Sequence, residues 1–182
     1  MLTSKIESKS QIFQDGIVLQ LLDFKKSGTF VDIGCAEPIR FSNSYIMEKY
    51  FDWYGIGIDI LDAKDSTGSW EELRPKTKHV LNDALSLDYL KLFKDFNLPK
   101  TIDYLSLDLE PPSITLECLY KIPFDLYTFN VITFETDEYR KGGEERKKLS
   151  RDYLKERGYI FQLNLNKQDD VYVHISLIEG HK

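Results

Sequence analysis

Residues 28–60 read GTFVDIGCAEPIRFSNSYIMEKYFDWYGIGIDI. Two short β-branched apolar runs, TFVDIGC (29–35) and YGIGIDI (54–60), flank a polar hinge and a helical stretch, SNSYIMEKYF (42–51), with Ser42 or Asn43 as its N-cap. Each run carries an acid near its carboxyl end, Asp32 and Asp59. Unpaired charge at the mouth of a buried strand is costly, so the two carboxylates imply a ligand.

The pattern continues outward. QIFQDGIVLQLLDF (11–24) predicts an opening helix, KHVLND (78–83) a third strand and LSLDYLKLFKDF (85–96) an amphipathic helix. TIDYLSLDLE (101–110) and FNVITFE (129–135) predict strands on either side of the helical SITLECLYKI (113–122). A charged helix over 137–158 leads to YIFQLNLNK (159–167) and DVYVHISLI (170–178), a hairpin-like pair. Residues 61–77 are irregular, a loop with a helical turn. This alternation predicts an α/β fold in one domain over 1–182, with a mainly parallel sheet and an antiparallel end.

The chain has 182 residues, 42% hydrophobic, which suits one core. Its net charge of −6 offers no general attraction to phosphate backbones, so no nucleic-acid partner is expected. Cys35 and Cys118 sit in apolar runs and read as buried thiols. No apolar stretch is long enough for a membrane span and the N-terminus lacks a signal-like apolar region, so a cytoplasmic protein is expected.

Ligands of open parallel sheets bind beyond the carboxyl ends of the strands. There the sequence sets Asp32 and Gly34, then Asp59, Asp83, Asp108 with Glu110, and Glu135. Asp59 follows Gly34 by 25 residues, the spacing of an acid that accepts from ribose hydroxyls. Gly34 would let the first loop approach the ligand closely. GCAEPI lacks the glycine pattern that cradles a pyrophosphate, which favours S-adenosylmethionine over NAD. Glu37 and Asp32 would serve its methionine end, Asp59 the ribose and Asp83 the adenine amino group.

Several blocks resemble the FkbM family of S-adenosylmethionine-dependent methyltransferases over nearly the whole chain. SKSQIFQDGIVLQLL is similar to the family's opening, and GTFVDIGCAEPIRFSNSYIMEK to its first cofactor block. IDYLSLDLE, TLECLYKIPFD, VITFE and Y-x-x-G-G-E-x-R follow in order, and RDYLKERGY with DVYVH resembles the last helix and strands. The resemblance implies a Rossmann-like methyltransferase fold, with seven strands, an antiparallel terminal strand and helices on both faces. It also implies O-methylation of a sugar, glycan or other small-molecule hydroxyl. Asp32, Gly34, Glu37, Ser42 and Asn43 fall on the first cofactor block, Asp59 on the ribose acid, and Asp108, Glu110 and Glu135 on the later acids. Ala36-Glu37-Pro38 stands where the family has Asn-Asp-Gly, Pro111-Pro112 replaces a small pair, and Thr136 replaces a common His.

For the chemistry, Asp108 or Glu110 is the expected general base, and Asp108 with Glu135 could share Mg²⁺. Competing structural roles are helix capping or pairing with Arg146 or Arg151. His79 and His181 read as structural or solvent-exposed, and His174 as undecided between faces. Trp53 reads as a packing anchor and Trp70 as the better sugar-stacking candidate; Tyr139, Arg140 and Arg146 are either a solvated face or an acceptor pocket. A nicotinamide-dependent oxidoreductase and a degenerate binding module are the alternative functions.

Overall fold

A computed structural model describes residues 6–179; His181 lies outside them. Seven strands alternate with helices: β1 Thr29–Ile33, β2 Tyr54–Asp59, β3 Thr77–Leu81, β4 Thr101–Leu107, β5 Thr128–Glu135, β6 Tyr159–Leu165 and β7 Asp169–His174. They form one sheet in the order β3-β2-β1-β4-β5-β7-β6. Only β7 runs against its neighbours, pairing antiparallel with both β5 and β6. The last strand in the chain is thus inserted inside the sheet, and β6 forms its edge.

The helices are α1 Gln14–Leu21, α2 Tyr45–Phe51, α3 Trp70–Leu73, α4 Tyr89–Asp95, α5 Ser113–Leu119, α6 Gly143–Lys155 and α7 Ile175–Glu179. Strand alternation divides the apolar residues between the two faces of the sheet. Val31, Ile33, Leu105, Leu107, Ile132 and Phe134 pack with Tyr89 and Phe93 of α4, Leu119 of α5 and Leu154 of α6. On the other face Phe30, Tyr104, Val131, Val171 and Val173 meet Val18 and Leu19 of α1 and Ile46, Met47 and Phe51 of α2. Both cysteines are buried free thiols.

Several elements are shorter than their patterns predict. Phe13 has φ 73°, and Asp23 and Phe24 have φ 48° and 53°, so backbone turns trim the opening helix at both ends. Gly142, at φ 78°, holds the turn before α6, leaving residues 137–142 outside the helix. β4 ends at Leu107, so Asp108 and Glu110 lie in the following loop, not on one pleated face. The final run switches from strand to helix at Ile175. In α2 the Ser42 hydroxyl accepts the Tyr45 N–H at 3.1 Å, although Ser44 is the residue that immediately precedes the helix.

Candidate active site

The loops after β1, β2, β3 and β4 meet around a cleft of about 350 Å³. Gly34, Ala36, Asp59, Asp83, Asp108 and Glu110 line it, with Phe41, Ile60, Leu61, Leu109 and Ile114 as its apolar walls and Gln11 reaching in from the N-terminal segment. A parallel sheet forces this convergence, because all four strands point their carboxyl ends the same way. Ile60 and Leu61 are each 67% exposed, costly for apolar side chains unless a flat apolar group covers them.

Asp59 is held by the backbone. Its Oδ2 accepts the Ala36 N–H at 2.9 Å and its Oδ1 the Leu61 N–H at 2.8 Å. Each oxygen keeps a lone pair for a further donor. Asp83 is exposed, and its Oδ1 accepts the Leu85 N–H at 2.9 Å.

Gly34 lines the cleft and is constrained from the protein side as well. Its φ is +85°, and a Cβ there would sit 1.6 Å from the Asp108 carbonyl oxygen. The missing side chain lets the first loop lie against the end of β4 at the edge of the cleft.

Four predicted cofactor residues do not line the cleft. Asp32 lies within β1 and is fully buried, because its strand continues past it to Ile33. Its Oδ2 accepts the Ser44 hydroxyl at 2.6 Å, while Oδ1 has no protein partner. Burial pushes its carboxyl up, opposed by the Ser44 bond and the Arg74 charge. Ser42 and Asn43 are also buried; Asn43 donates to Ser106 Oγ at 3.0 Å, and its Oδ1 is unpartnered. Glu37 sits beside Arg40 at 3.9 Å.

At the other end of the cleft the acids crowd together. Leu107 pairs with Phe134, and Glu135 lies opposite Asp169. Asp108, Glu135 and Asp169 therefore follow one another across neighbouring strands. Burial pushes the Asp108 and Glu135 carboxyls up; the Asp169, Asp32 and Asp137 charges add to the shift at Asp108, where a hydrogen bond with Glu135 opposes it, and the Asp108 charge adds to the shift at Glu135. Burial raises Asp169 too, opposed by Gln14, whose amide donates to it at 3.0 Å. Thr115 donates to Glu135 at 3.3 Å. None of the three has a lysine or arginine within ion-pair distance among the described residues.

Glu110 is different. It is exposed, and both its oxygens accept from Arg140 Nη1, at 2.8 and 2.9 Å. Arg140 Nε also meets Asp137 at 2.9 Å. Glu110, Glu135 and Asp137 bring carboxylate oxygens within 4.8 Å of one another, a different set from the expected Asp108 and Glu135. Their donor type suits a hard cation, but the Arg140 guanidinium already bridges two of the three. As folded, the set does not fit a resident Mg²⁺.

Neither expected arginine pairs with Asp108 or Glu110. Arg151 binds Asp170 through both carboxylate oxygens, and Arg146 is buried, donating to the carbonyls of Thr136, Asp137 and Lys141. Tyr139 is exposed. Trp53 is the expected anchor, fully buried with its indole N–H on the Lys25 carbonyl. Trp70 is not a stacking platform for sugar: it is 3% exposed, lies face to face with His79 at 4.7 Å, and donates to the Ala36 carbonyl at 3.2 Å. His79 is half-buried within β3, and burial lowers its pKa; His174 contacts Ser176 and Tyr159 away from the cleft.

Sequence reasoning missed Arg74, Asp169 and the apolar pair Ile60-Leu61. An apolar pair directly after the Asp59 acid was a readable signal, since a strand end facing water has no structural need for it.

The architecture is that of the class I, Rossmann-like methyltransferases. Among solved structures, a protein described as an rRNA methylase from Clostridium thermocellum matches at 15% identity with a TM-score of 0.55, covering 92% of this chain and 97% of that one. A protein described as a ribosomal RNA methyltransferase from Plasmodium falciparum matches at 12% identity and 0.53, covering 92% and 97%. One described as a prophage-encoded DNA modification methyltransferase (E. coli) matches at 12% and 0.57; this chain is covered over 84% and spans 48% of that one. No protein-family profile and no curated protein sequence matches the chain. No described helix is long and apolar enough to cross a membrane.

Proposed function

We propose that the chain is an S-adenosylmethionine-dependent O-methyltransferase of the FkbM type, acting on a hydroxyl of a sugar, glycan or related small molecule. The observation that carries this reading is the cleft itself, with Asp59 and the exposed Ile60-Leu61 pair at one end and Asp108 at the other. Ribose hydroxyls would donate to the free lone pairs of Asp59, and adenine would cover Ile60 and Leu61 with its amino group near Asp83. The orphaned acceptors Asp32 Oδ1 and Asn43 Oδ1 suit a cationic, proton-rich ligand such as the methionine ammonium. The cofactor would supply an electrophilic methyl group at the Asp108 end.

This chain's residues then have two tasks. They hold the acceptor in line with the methyl group, where orientation alone removes much of the barrier. They also take the hydroxyl proton. Asp108 suits this better than Glu110, because burial makes Asp108 more basic whereas Arg140 ties up both Glu110 oxygens.

Nucleic acid is a poorer acceptor, although several structural neighbours carry RNA or DNA methyltransferase names. The cleft rim carries Asp59, Asp83, Asp108 and Glu110, a field that repels phosphates. The test is transfer of labelled methyl from S-adenosylmethionine to mono- and oligosaccharides, with RNA in parallel. Labelled sugar ether supports the reading; label on RNA alone overturns the acceptor.

A further inference from the structure

The irregular segment between β2 and β3 buries Trp70 and Arg74, and no strand-end pattern points to the arginine. Arg74, just after α3, is 1% exposed. Its Nε donates to Glu48 Oε2 at 2.7 Å, Nη1 to the Pro38 carbonyl at 3.0 Å and Ser42 Oγ at 3.1 Å, and Nη2 to Ser44 Oγ at 3.0 Å. The rings of Phe30, Tyr45 and Trp70 lie 5.2–5.8 Å from the guanidinium carbon. Three of these bonds go to the loop after β1, at Pro38, Ser42 and Ser44.

The chemistry gives this contact a direction. A guanidinium can only donate, so the Ser44 hydroxyl must accept from it and turn its own proton elsewhere. That proton goes to Asp32 Oδ2, at 2.6 Å. Arg74 thereby holds the loop, sets the polarity of Ser44 and leaves the unpaired Asp32 Oδ1 in a fixed orientation. Trp70, four residues earlier, grips the same loop through the Ala36 carbonyl, and Asp59 holds the Ala36 N–H.

We infer that Arg74 is a positioning residue for cofactor binding, holding the loop after β1 and, through Ser44, the Asp32 carboxylate in their binding geometry. The inference rests on the cofactor reading above. Glu48 supplies the counter-charge and also binds the Thr77 hydroxyl and the Lys76 N–H, so that pair belongs to the framework. The Ser42, Ser44 and Pro38 contacts belong to the loop.

The experiment compares Arg74→Lys, Ser44→Ala and Thr77→Val, matched by melting temperature, with the wild type by two measurements, S-adenosylhomocysteine affinity by calorimetry and amide exchange across residues 36–44. Thr77→Val disturbs the Glu48 network without touching the loop. Arg74→Lys and Ser44→Ala are expected to weaken affinity about tenfold or more, the loss of charge-assisted bonds, and Arg74→Lys to raise exchange across the loop. Thr77→Val is expected to leave both near wild type at a comparable loss of melting temperature. Equal weakening in Thr77→Val, or unchanged exchange and affinity in Arg74→Lys, overturns the inference. A wild type that binds no S-adenosylhomocysteine overturns the cofactor reading instead, and the exchange data still decide whether Arg74 holds the loop.

Discussion

Replacing Asp108 with Asn separates the catalytic from the structural consequences of the acid row. Asp108 and Glu135 occupy neighbouring strand ends without a cationic partner among the described residues; burial raises both, the Asp108 charge raises Glu135 further, and the Asp169, Asp32 and Asp137 charges raise Asp108. An acid raised in the folded state holds its proton to higher pH than it does in the unfolded chain. Over that range the folded state binds more protons, so stability is full near the unfolded value, about pH 4, and falls as pH rises above it. Cross-strand neighbours lie about 5 Å apart, and two full charges at that separation repel by about 3 kcal/mol at an effective dielectric of about 20. Water at the half-buried Asp108 reduces this to about 2 kcal/mol. Asp108→Asn removes that repulsion, so it is expected to match the wild type at about pH 5 and exceed it by about 2 kcal/mol at about pH 9. For a domain of this size that is a gain of roughly 4–8 °C in melting temperature. Methyl transfer should fall at least about a hundredfold, as expected for loss of a general base. Melting curves across pH, with turnover on the same preparations, measure both. A variant whose stability relative to the wild type stays constant or falls with rising pH refutes the uncompensated row; undiminished turnover refutes the base.

Two further outcomes follow from the geometry. Gly34→Ala places a Cβ 1.6 Å from the Asp108 carbonyl at a φ of +85°, so it should cost at least about 2 kcal/mol in denaturant unfolding and weaken cofactor binding; a variant as stable as the wild type would show that the loop does not rest on β4. Because Arg140 bridges Glu110 and Asp137, methyl transfer should survive EDTA unchanged, and restoration of lost activity by Mg²⁺ would show that the acids take a cation after all.

What could be read in advance was whatever recurs with a period. Apolar runs closed by an acid placed Asp59, Asp83 and Asp108 at the ends of parallel strands, and topology alone then brings them to one cleft. Asp169 escaped because it opens its strand. In an antiparallel neighbour the first residue, not the last, lies beside the carboxyl end of β5, and that direction follows from pairing. Arg74 escaped because four bonds from a residue in an irregular segment depend on its convergence with the loop after β1 and with α2, which no local pattern encodes. Gly34 was legible as a position that wants no Cβ, but its contact with Asp108, beyond a strand far away in the chain, could not be read from its own segment. The expectation for Trp70 failed similarly, since an aromatic in a loop can be drawn inward by a charged group that needs cover.

The central claim is that the cleft between Asp59 and Asp108 accepts an adenosyl ligand without a diphosphate. Isothermal titration with S-adenosylhomocysteine and with NAD, on the wild type and on Asp59→Ala, addresses it directly. The account predicts one saturable site for S-adenosylhomocysteine, weakened about tenfold or more in Asp59→Ala, and no heat from NAD. Binding of NAD in preference to S-adenosylhomocysteine, or equal S-adenosylhomocysteine affinity in the two proteins, would contradict it.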